Sequence, residues 1–109
     1  MLNPMLAAHG LYSTNWINRS VNAGEVIRHK HKYLVDTTAG QVTMQLHPNP
    51  VPRMKVRIKD YASKFDTNTC IMARNGKKIM GLEEDYEINT KDAEREFEYI
   101  DDEKGWQVK

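Results

Sequence analysis

From Tyr33 to Lys109 the chain is a succession of short segments in which apolar and polar residues alternate, each closed by a turn signal. Alternation with period two puts successive side chains on opposite faces, as a half-buried β-strand requires and a helix cannot use. The cleanest case is Met54–Lys59, where Met54, Val56 and Ile58 share one face and Lys55, Arg57 and Lys59 share the other. Turn-forming residues recur at Thr37–Gly40, Asn75-Gly76, Gly81–Asp85, Thr90–Ala93 and Asp101–Gly105, a rhythm of about 8–12 residues that marks sandwiches and barrels.

The predicted strands are Glu25–Asp36, Gln41–Leu46, Met54–Lys59, Thr69–Arg74, Tyr86–Asn89, Glu94–Ile100 and Trp106–Val108. His47–Pro52 carries prolines at alternate positions, which removes amide donors and makes it an irregular connector. Asn75-Gly76 suits the positive φ angles of a type I′ turn, so Lys77–Met80 is expected to return along the preceding strand. A helix over Lys91–Asp102 competes with the strand, but Ala93, Phe97 and Ile100 would form only a thin apolar stripe, with Tyr99 off it. The expected fold is all-β: a small antiparallel β-sandwich or barrel-like module over residues 25–109, with an extended N-terminal arm over residues 1–24.

The arm, Met1–Gly24, has no clean period and scatters Leu11, Trp16 and Ile17 through polar residues. Such a segment buries little by itself. It reads as a docking arm that orders on a partner, with Leu11, Trp16 and Ile17 as anchors.

With 109 residues the chain supports one core. No apolar run approaches the roughly 20 residues of a membrane helix, and the N-terminus lacks the basic region of a secretory signal, so no membrane partner is expected. Cys70 stands alone in an apolar run and is expected to be a small buried hydrophobe. The net charge of +1 hides an asymmetry: residues 1–64 sum to +6 and residues 65–109 to −5. A nucleic-acid binder rarely carries a compensating acidic half, so pairing between strands or subunits is the favoured reading.

That pairing has specific candidates. Lys55, Arg57 and Lys59 form a basic stripe, and Glu94, Glu96 and Glu98 form an acidic stripe of the same length and period. Side by side, within one chain or across a subunit interface, they would make a ladder of ion pairs. The basic stripe lacks the interleaved aromatics of a single-strand nucleic-acid track, and no nucleic acid is expected as a partner. His29 and His31, two residues apart on one face of the strand expected there, are the one metal-like feature; the favoured reading is a solvent-facing or stacked pair among lysines, and no metal is expected. No phosphate loop, Cys-x-x-Cys or His-Glu-x-x-His is present, Glu83–Asp85 reads as a solvated turn, and no cofactor is expected.

Four segments carry a resemblance: Thr38–Leu46, Met54–Asp60, Asn68–Gly81 with its Asn-Gly-x-x-Ile-x-Gly block, and Gly105-Trp106. In order and spacing they are similar to a small β-module repeated in virion structural proteins of tailed bacteriophages. The resemblance runs from Tyr33 to Lys109. It implies a non-enzymatic structural part of a fibre, collar, head decoration or tail accessory component, a homotrimer contacting other virion proteins, made in the host cytoplasm and located in the virion. The alternative class is a carbohydrate- or nucleic-acid-binding β-module.

Overall fold

A computed structural model of the chain describes residues 13–18, as backbone, and residues 26–109. Among the described residues there is no helix, and eight strands form two sheets. In chain order they are β1 (Ser13–Asn18), β2 (His31–Asp36), β3 (Val42–Gln45), β4 (Lys55–Asp60), β5 (Cys70–Ala73), β6 (Tyr86–Ile88), β7 (Glu94–Asp101) and β8 (Gly105–Val108). The larger sheet has the order β1-β2-β4-β7-β8, and the smaller one β3-β5-β6.

The all-β class is as expected, but the pairing is mixed. β1 runs parallel to β2, β2 to β4 and β3 to β5, while β4–β7, β7–β8 and β5–β6 are antiparallel. The cause lies in the route of the chain. β2 leads into β3 in the other sheet, and β3 leads back to β4. Two reversals restore the direction, so neighbours within one sheet run parallel where a meander would run antiparallel.

The core lies between the sheets. Tyr33, Val35, Val56, Ile58, Phe97, Tyr99 and Trp106 of the larger sheet meet Val42, Met44, Cys70, Met72 and Ile88 of the smaller. Tyr86 of β6 packs edge-on against Phe97 of β7, with ring centroids 5.6 Å apart. Tyr99 and Trp106 make a second edge contact at 5.4 Å. Segment 94–101 is a strand in which Phe97 and Tyr99 both reach this interior, whereas the competing helix would have left Tyr99 off its apolar stripe.

Two local expectations differ from the structure. The predicted long strand over 25–36 is broken, and its residue Glu25 lies outside the described residues. Ile27 donates its amide to Gln45 O at 2.9 Å, beside β3, whereas His31 onward belongs to the larger sheet. The chain changes sheets at Arg28–Lys30, with Lys30 in the left-handed region at φ 59°. The Arg28 amide donates to the Tyr33 hydroxyl at 2.9 Å, and the His31 amide to Arg28 O at 3.3 Å, which fixes the corner.

The second difference follows Asn75-Gly76. The turn forms, with φ values of 52° and 97° and the Lys77 amide bonded to Arg74 O. The chain does not then return along β5, whose antiparallel neighbour is β6. Segment 78–80 instead covers the edge of β8: the Trp106 amide donates to Lys78 O at 2.8 Å and the Met80 amide to Trp106 O at 2.7 Å. Gly105 makes this approach possible. Its φ is +72°, and a Cβ there would stand 2.0 Å from Lys78 O.

Candidate functional site

The outer face of the larger sheet carries most of the ion pairs among the described residues. β4 and β7 are neighbours, in a register that sets Lys55 opposite Glu98, Arg57 opposite Glu96 and Lys59 opposite Glu94. All six side chains lie on the face away from the core, because Val56, Ile58 and Phe97 occupy the alternate inner positions.

Contacts within this face are diagonal as well as direct. The Arg57 guanidinium reaches Glu94 Oε2 through Nη1 at 2.6 Å and Glu96 Oε1 through Nε at 3.3 Å. Lys32 of β2 approaches Glu94 Oε1 at 3.4 Å, and Lys109, just past β8, approaches Glu96 Oε2 at 3.6 Å. Glu96 is the best shielded member, with a side chain only 10% exposed under its two cationic partners. Lys59 donates its Nζ to Asp92 O at 3.2 Å. Lys55 and Glu98 stand opposite in the register and form no ion pair among the described residues. Half-exposed pairs of this kind contribute about 0.2–1 kcal/mol each, so the network fixes register more than it adds stability.

Residues outside the two stripes complete this face. Lys32 and Lys109 were absent from the sequence-based set; the signal for Lys32 was its alternate position on the strand carrying Tyr33 and Val35. Asp60 was missed altogether. It ends β4 on the inner side, 1% exposed, and its carboxylate accepts amides from Lys64 at 3.1 Å, Phe65 at 3.0 Å and Asp92 at 3.0 Å. It ties two loops to the end of the sheet and lets Phe65 drop into the core.

The histidine candidates separate. Lys30 turns the chain between them, so they do not share one strand face. His29 Nδ1 accepts the Lys55 amide at 2.9 Å, while His31 Nδ1 lies 3.1 Å from His29 O. Among the described residues no group of three His, Cys, Asp or Glu side chains is placed to hold a metal ion. Cys70 is buried, and burial, with a smaller contribution from Asp60, pushes its thiol up to about 12, far from a nucleophilic thiolate. Burial and the Asp102 carboxylate, to which Tyr99 donates, hold the Tyr99 phenol up at about 12.

Of the arm over residues 1–24, only β1 is described; Leu11 lies outside the described residues. Trp16 and Ile17 fall in β1, opposite Leu34 and Val35 of β2 in the register. The pairing puts this part of the chain at the edge of the larger sheet.

No model of a known protein family matches the chain, and no curated protein sequence matches it.

Proposed function

We propose that the chain is a non-enzymatic structural module of a tailed-phage virion, attached to the particle through residues 1–24 and self-associating, with three copies as the expected state. The observation that carries the structural part of the reading is the use of the polar side chains. The charged face binds itself through Arg57, Glu94, Glu96, Lys32 and Lys109, and Asp60, Asn68 and Asp85 fasten loops by accepting from or donating to backbone groups. Such side chains hold a rigid body together. The virion assignment rests on the order of the Asn68–Gly81 block and the Gly105-Trp106 ending.

Support for attachment through the N-terminus comes from β1, which is an edge strand pairing only with β2 among the described strands. An edge strand offers a row of backbone donors and acceptors to a partner. The test is mass spectrometry and immunolabelling of purified particles. The chain should be a stoichiometric component, and deletion of Met1–Gly24 should abolish incorporation while the core remains folded. Absence of the chain from particles would overturn the reading.

A further inference from the structure

At one end of the larger sheet, two turns bring four cations together. Arg28 and Lys30 precede β2, and Arg53 and Lys55 lead into β4. The turns are laced by main-chain bonds: the Lys30 amide donates to Lys55 O at 2.7 Å, the Arg53 amide to Tyr99 O at 2.9 Å and the Lys55 amide to the His29 ring. Both Lys30 and Arg53 hold positive φ, at 59° and 75°, a conformation that non-glycine residues adopt uncommonly. Among the described residues none of the four cations makes an ion pair, in contrast with Lys32 and Arg57 on the adjoining face. The one acid set opposite them in the register, Glu98 across from Lys55, makes none either.

The complementary surface is on the same chain. Glu83, Glu84 and Glu87 flank and enter β6, and all three are exposed. Glu84 and Glu87 make no ion pair among the described residues, and Glu83 only a long one of 3.8 Å to Arg74. The two surfaces belong to different sheets. The cations sit at the start of β2 and β4, the second and third strands of the larger sheet, and β6 is the edge of the smaller sheet, stacked over β7 through Tyr86 and Phe97. They also lie at similar height along the strands. β2 and β4 start at this end; Ile27, three residues before Lys30, donates to Gln45 O at the end of β3, Gln45 stands opposite Ala73 at the end of β5, and the Arg74 amide donates to Asp85 at 2.9 Å just before β6.

We infer that the cationic turns of one copy dock against the acidic β6 edge of the next, so that copies join side by side, head to tail. A surface that meets a different surface of the same chain is a heterologous interface. Repeated by a rotation that closes, such a contact makes a ring. The inference rests on the self-association in the proposed function and names its surfaces. Complementary charge of this kind sets orientation and association rate, and weakens with salt.

The experiment is sedimentation of the full chain, with circular dichroism as the folding control. The wild type should form a closed oligomer at micromolar concentration, with an association constant at least about tenfold lower in 0.5 M than in 0.05 M salt. The variant K30E/R53E should be folded and monomeric, and so should E84K/E87K. Combining the four changes in one chain should restore the oligomer, because the charges are exchanged rather than lost. A monomeric wild type at low salt, single-surface variants with unchanged mass, or a combined variant that stays monomeric would overturn the inference. So would a monomer whose cationic surface retains a DNA oligonucleotide with steep salt dependence. A chain that oligomerises as described but is missing from particles would sink the virion reading alone. A monomer found in particles would sink this inference and the self-association it rests on, and leave the virion reading standing.

Discussion

The two faces of the β4–β7 pair are made from the same two strands and hold together by different physics. On the inner face Val56, Ile58 and Phe97 are fully buried, and Asp60 closes the row with three amides on its carboxylate. On the outer face Arg57, Glu94 and Glu96 hold one another with side chains that are between 10% and 38% exposed. Inner contacts are short-ranged and shape-dependent, and they cannot be exchanged for water without cost. Outer contacts compete with water and salt at every moment. Stability should therefore be concentrated on one side of the sheet, and register and partner choice on the other.

The largest effect should come from Phe97→Ala, which removes a ring packed against Tyr86 and leaves a cavity. A loss of about 3–5 kcal/mol in urea unfolding is expected. Glu98→Ala, the next residue on the outer face, should change stability by no more than about 0.5 kcal/mol. Equal losses at the two positions would break the comparison.

Asp60→Ala should follow, at about 2–4 kcal/mol, because the amides of Lys64, Phe65 and Asp92 lose their acceptor at a buried site. Asp60→Asn keeps one side-chain oxygen and should cost less. Hydrogen exchange should show the loops at 61–65 and 90–92 opening in either variant while β5 stays protected.

The Cys70 thiol, on β5 of the sheet that packs against this inner face, gives a pH test of the core between them. Its folded value of about 12 lies above the ordinary 9.0, so the folded state holds the proton more tightly than the unfolded chain. The thiol should leave stability unaffected below about pH 9 and reduce it as pH rises toward 12, on the order of 1 kcal/mol at pH 10. Cys70→Val should flatten that alkaline slope. A native-state thiol that reacts with maleimide as fast as the unfolded chain would contradict its burial.

Arg57→Met tests the outer face. It releases Glu94 and Glu96 from one cation but leaves Lys32 and Lys109 on them. A loss of roughly 0.5–1 kcal/mol is expected, shrinking in 0.5 M salt. A double-mutant cycle with Glu96→Gln should return a coupling in that range, and a loss as large as that of Asp60→Ala would show the ladder to be a stability element.

How far this was legible depended on whether a signal was local. The alternation in Met54–Lys59 and Glu94–Ile100 identified both stripes as facing away from the apolar residues, and the observed register sets the matched positions opposite one another. Asp60 gave no such signal, since its role depends on amides up to 32 residues away in sequence. The cationic end was equally hidden, because Arg28, Lys30, Arg53 and Lys55 come together only through two turns on different strands. His29 and His31 looked paired only while the strand was assumed continuous; a left-handed Lys30 divides them.

Taken by itself, the sequence determined the all-β class, most strand positions and which side of each strand is apolar, because these follow from a period of two and from turn chemistry within a few residues. Tertiary structure decided the rest. It set β2 and β4 parallel, since the direction of neighbours depends on the chain crossing to the other sheet and back through β3. It also drew segment 78–80 away from β5 to cover β8, where Gly105 lets the backbones meet. Turn residues specify how tightly a chain reverses, but the surface it lands on is selected by whichever unpaired edge and buried side chains the whole molecule brings within reach.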